Sequence, residues 1–184
     1  MRKGILFFIL LLLLPIAVAF QDLLPAIPPF QARILLLPVV FCFGVMALPL
    51  VPSLFFALAT ALVQGLVLLQ IQSGQAELGL TVPVVFFLVW AIVLQMASEA
   101  THGMRWEVHA LGSAVVTLTL LGVEFVVLCV RRGGFPLEMT VLLRIVIPSV
   151  ASLLVAPLLY FMLRKMVPVF IEGAQLPPKP NFSR

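Results

Sequence analysis

Residues Ala57–Leu80 read ALATALVQGLVLLQIQSGQAELGL. The stretch begins inside an apolar run and carries small residues at Ala57, Ala61 and Gly65. Steps of four place these three on one helix face, where a second helix can approach closely. Gln64 and Gln70 lie in the same apolar run, and Ser73-Gly74-Gln75 leaves it as a turn before Glu77-Leu78-Gly79-Leu80 leads back. A small-residue seam, two amides in apolar surroundings and a short polar turn are the ingredients of a helix-packing core within a membrane bundle.

The composition around this stretch sets the class. The chain has 184 residues, of which 63% are hydrophobic and 10% charged. A soluble domain carries about 25% charged residues, and one of this length could not hide so much apolar surface. The expectation is one all-α integral membrane domain, a bundle of about six transmembrane helices solvated by lipid. The net charge of +4 is modest and sits at the ends and in short loops. It suits cytoplasmic anchoring and offers nothing to nucleic acid.

The spans follow from the uncharged runs. Residues 4–20 form the first, with Pro15 as a bend. Met1-Arg2-Lys3 ahead of it and Ala17-Val18-Ala19 at its end also fit a cleaved signal peptide, but the run is long enough to span and further spans follow, so retention is expected. Pro25, Pro28 and Pro29 make 21–33 a loop. Residues 34–71 then run without a charge. That is too long for one span of about 20 residues and suits two, so Pro49-Leu50-Val51-Pro52 is read as a tight hairpin between spans at 34–48 and 53–71. Pro83 opens a fourth span at 83–98, a polar loop covers 99–109, and a fifth span occupies 110–130. The turn at Arg131-Arg132-Gly133-Gly134 leads to a sixth span at 141–163. Ser149, Ser152 and Ala156 give that span its own small face, and Pro148 and Pro157 are its kink sites. Residues 1–166 thus form the membrane domain, and 167–184 a proline-rich tail of disordered character.

Six crossings put both termini on one face, with seven lysines and arginines there against four on the other. The positive-inside bias then places both termini in the cytoplasm.

Reactive chemistry is sparse. Cys42 and Cys129 fall at different depths of their spans, which argues for buried, inert thiols rather than a disulfide. His102 and His109 share the polar loop with Glu99 and Glu107, but their spacing spreads them over about 10 Å of helix, too far for one metal, and a satisfied polar loop is the better reading. There is no HExxH, GxSxG or glycine-rich phosphate loop. Ser149 and Ser152 have no histidine at their depth to activate them. No catalytic, cofactor or metal site is therefore expected. Glu124, the one acid within the spans, is costly in lipid and needs a partner. Folding the last two spans about Gly133-Gly134 brings Arg144 toward it, so a structural ion pair between Glu124 and Arg144 is expected.

Gly65-Leu-Val-Leu-Leu-Gln70 followed by Glu77-Leu78-Gly79-Leu80 resembles the mid-chain pattern of the rod shape-determining protein MreD family. Leu142-Leu-Arg144-Ile-Val-Ile-Pro148 with Ala156-Pro157-Leu-Leu-Tyr160-Phe-Met-Leu-Arg164-Lys165 resembles that family's last span. Gln70 stands where the family usually has an aspartate, so a hydrogen-bonding or packing role carries over and a charge-dependent one does not. The resemblance implies a non-catalytic subunit of the bacterial cell-elongation machinery in the inner membrane. Its partner would be an MreC-like single-span protein, and through that an MreB-like filament and the peptidoglycan polymerase and transpeptidase. Ala57, Ala61, Gly65 and Gln70 are then the candidate helix-packing or partner-binding residues. The alternative is the solute-binding membrane subunit of an energy-coupling-factor vitamin transporter, whose pocket would draw on Gln70, Gln75, Glu77, Glu124 and Arg144.

Overall fold

The computed structural model describes residues 2–26, 33–67, 70–72, 75–77, 81–101, 105–134 and 138–166. Six helices follow one another: α1 (Arg2–Leu23), α2 (Leu37–Ala47), α3 (Leu50–Val67), α4 (Thr81–Ala100), α5 (Trp106–Arg132) and α6 (Met139–Met166). Five are long and apolar enough to cross a membrane, and α2, with 11 residues, is shorter. The chain is an all-α membrane bundle, as the composition predicts. Two three-residue strands interrupt the helical pattern, β1 (Gln70–Gln72) and β2 (Gln75–Glu77).

These strands correct the third span. It was expected to reach Ile71, but α3 stops at Val67 and the chain pairs Gln70 with Glu77, Ile71 with Ala76 and Gln72 with Gln75. From Gln70 on, polar residues alternate with Ile71 and Ala76, a period-two pattern that suits a hairpin and not a helix in lipid. The proposed tail, 167–184, lies outside the described residues.

The centre of the bundle is also not where the sequence put it. Every residue of α2 from Leu37 to Met46 is buried, and α2 packs against each of the other five helices. A helix that is apolar all round belongs in a core, and Leu37-Pro-Val-Val-Phe-Cys-Phe-Gly-Val-Met46 offers no polar face to turn outward. Its one glycine marks a close approach: a Cβ built on Gly44 falls within the Phe56 ring of α3. Phe41 meets Phe87 of α4 edge to face at 4.8 Å between centroids.

The Ala57, Ala61, Gly65 seam is covered within the chain. Ala57 and Ala61 are fully buried, and Gly65 is buried with them. The α3 residues facing outward include Val51, Phe55, Leu58, Leu62 and Leu66. The turn from α5 to α6 forms as its glycines foretell. Gly133 adopts φ 69°, its N–H donates to Val130 O at 3.4 Å and the Gly134 N–H to Cys129 O at 3.2 Å, which satisfies the last carbonyls of α5.

Gly44→Ala should lower the thermal midpoint in detergent, because overpacking a filled core costs about 1–3 kcal/mol. Combining it with Phe56→Leu should cost less than the two single changes together. Full additivity in detergent melts would mean that Phe56 does not set the size of residue 44.

Candidate functional site

The polar residues that the apolar helices bury gather in two places. The first surrounds α2. Val45 and Leu48 each stand four residues before a proline, Pro49 and Pro52, and proline has no N–H to offer a carbonyl one turn back. Gln95 of α4 fills both vacancies: its Nε2 donates to Val45 O at 2.6 Å and to Leu48 O at 2.7 Å. At the other end of α2, the Leu36 N–H donates to Gln21 Oε1 of α1 at 3.2 Å. His109 of α5 adds a third hold, its Nε2 3.2 Å from Val39 O. A carbonyl only accepts, so Nε2 carries the proton and Nδ1 presents a bare lone pair. That Nδ1 has no hydrogen-bond partner. The imidazole is fully buried and lies between Phe43 and Tyr160, with centroids at 5.9 and 5.8 Å.

The buried serine and threonine hydroxyls are turned back onto their own helices. Ser113 donates to His109 O and Thr117 to Ser113 O, both at 2.7 Å, and Thr60 donates to Phe56 O at 2.8 Å. Ser149 and Ser152 do the same on α6, to Ile145 O and Ser149 O. Such back-bonding satisfies a hydroxyl where no water reaches. The Cys42 thiol lies against Ser113. Cys42 and Cys129 are both buried and free. Among the described residues no group of three or more His, Cys, Asp or Glu could hold a metal ion.

The second place joins α3 to α5. Gln64 Nε2 donates to Glu124 Oε1 at 2.9 Å. This corrects the pairing expected for the intramembrane acid. The partner that Glu124 takes is an amide from across the bundle, while Arg144 is exposed on α6. Neutral amide donors suit a carboxylate in lipid well, since they bring no second charge to be desolvated. The described ion pair is elsewhere, Arg33 Nη1 to Asp22 Oδ1 at 3.4 Å, with both side chains exposed.

Of the remaining sequence candidates, Ala57, Ala61 and Gly65 lie together on the buried side of α3, and Gln70 sits in β1 with its side chain outside those described. His109 was placed in a polar loop with His102. It instead stands on α5, which starts at Trp106, and His102 lies outside the described residues. Gln21 falls within the expected 21–33 loop and Gln95 within the expected 83–98 span, and neither was given a role. One signal for them was present: a glutamine inside an apolar run needs a backbone or side-chain partner in lipid. Compared with known protein families, curated proteins and solved structures, the chain matches none.

Gln95→Leu should destabilise the bundle strongly, since each carbonyl left unsatisfied costs about 1–3 kcal/mol. Melting in detergent that matches the wild type would rule out this role. A double-mutant cycle on Gln64→Leu and Glu124→Leu should return a coupling of about 0.5–3 kcal/mol, and one on Glu124→Leu and Arg144→Gln close to zero. Coupling to Arg144 in place of Gln64 would restore the ion-pair reading.

Proposed function

We propose that the chain is a non-catalytic inner-membrane subunit of the bacterial cell-elongation machinery, a counterpart of MreD that binds an MreC-like single-span protein. Through that partner it meets an MreB-like filament and the peptidoglycan polymerase and transpeptidase. The observation that carries the reading is how the bundle divides its surfaces. Its buried amides and hydroxyls are turned onto its own backbone or onto each other. Outside, α3 and α4 leave an open groove of about 250 Å³ lined by Val51, Leu54, Phe55, Leu58 and Leu88. Val51, Leu54, Phe55 and Leu58 recur at three- and four-residue steps along one helix face, the spacing at which the side chains of a second helix interleave. A single apolar helix is the partner this groove fits. The residues that resemble MreD supply the partner's identity. A vitamin-binding reading draws no support from the groove, because its lining offers a solute no polar contact.

Co-expression with an MreC-like single-span protein and extraction in mild detergent should recover the two together. Leu58→Trp, which fills the groove, should reduce recovery at least tenfold without lowering the amount in the membrane. Leu154→Trp, on the exposed side of α6, should leave recovery unchanged. Failure of the unaltered pair to co-purify would count against the function, and loss of neither variant's binding would move the contact off the groove.

A further inference from the structure

We infer that α2 does not cross the membrane. It enters and leaves by the same face as a re-entrant helix, and the two chain termini consequently lie on opposite faces. The argument rests on which ends of the other helices meet α2.

Four helices alternate in direction. Gln64, near the end of α3, bonds Glu124 in the last third of α5, so α3 and α5 run the same way. Between them α4 runs back, with Leu94 over Gly112. After the Gly133-Gly134 turn α6 runs back along α5, with Tyr160 beside His109. The starts of α3 and α5 and the ends of α4 and α6 therefore share one face. These are the parts that touch α2: Phe56 at the start of α3 against Gly44, Gln95 toward the end of α4 on Val45, His109 at the start of α5 on Val39, and Tyr160 near the end of α6 against Phe43.

The end of α1 joins the same group. Gln21 lies in the last turn of α1 and accepts from the N–H of Leu36. Three residues on, the Val39 carbonyl faces His109 in the first turn of α5. Six crossings would put the end of α1 and the start of α5 on opposite sides of about 30 Å of hydrocarbon. One turn of α2 together with two side chains does not cover that distance, and the whole of α2, at about 1.5 Å per residue, reaches only about 16 Å. The chain thus leaves α1 and begins α3 on one face.

The hydrogen bonds at the ends of α2 fit this placement. Non-helical backbone at membrane depth is stable only where protein groups satisfy it. Residues 33–36 and the Leu48-Pro49 link are such backbone, and Gln21 and Gln95 serve them. With five crossings the lysines and arginines divide five against six between the faces. The seven-to-four bias that put both termini in the cytoplasm belongs to the six-span count, and it lapses with that count.

The test needs no intact N-terminus. Single cysteines replace Pro25, Glu99 and Glu138, all exposed, with the buried Cys42 and Cys129 left in place. Each variant is labelled with a membrane-impermeant maleimide in right-side-out and in inverted vesicles. Pro25→Cys and Glu99→Cys should react from the same face and Glu138→Cys from the other. Reaction of Pro25→Cys together with Glu138→Cys, opposite Glu99→Cys, would mean that α2 crosses, and the inference would fall.

Discussion

The bundle depends on one requirement: every backbone polar group of a helix that ends inside hydrocarbon must find a partner in the protein. At both ends of the central helix α2, side chains of neighbouring helices supply such partners. Its sequence cuts it short with Pro49 and Pro52, and each proline orphans a carbonyl one turn back. One side-chain amide, Gln95, carries two donors on a single nitrogen and answers both. Gln21 answers at the other end. The surrounding helices are therefore tied to α2 by directional bonds in addition to packing. In lipid this distinction matters, because burial of an apolar side chain against protein gains little over burial against acyl chains.

Much of this was legible in the chain. Composition gave the membrane class, uncharged runs located the long helices to within a few residues, and Gly133-Gly134 marked the turn that ends α5. The failures share a cause. Residues 34–71 were divided into two spans by their length and by the Pro49–Pro52 break, since hydropathy cannot tell a span from a helix buried in protein. The prolines that shorten α2 were taken as a turn signal and not as a source of orphaned carbonyls. Charge drew attention to Arg144 as the partner for Glu124, whereas Gln64, a neutral residue 60 positions away in sequence, makes the bond. Contacts of that kind have no local pattern to betray them.

The small-residue seam is one of two places where α3 presents a close-packing surface. Ala57, Ala61 and Gly65 do form one buried face of α3. Beside it a large residue of α3, Phe56, packs closely on Gly44 of α2. A glycine accepts a ring as readily as a second backbone, so a small residue on the opposing helix, Gly44, also lets α2 and α3 come close.

The division between buried polar groups that are satisfied within the bundle and an apolar exterior bears on what the protein is built to do. Polar groups that take up a solute within a membrane face a cavity that water or solute can enter. Here the described polar side chains around α2 are mostly committed to the bundle itself. His109 Nδ1 is the exception, and it is enclosed by Phe43 and Tyr160 and reaches no surface. Commitment of this kind fixes the relative positions of six helices more tightly than dispersion contacts alone. It gives α3 and α4 a defined outer relief instead of a fluctuating one. A groove of fixed shape discriminates between helices by the fit of their side chains, where lipid cannot discriminate at all. Internal hydrogen bonds that never touch a partner can in this way set which partner the outer surface accepts.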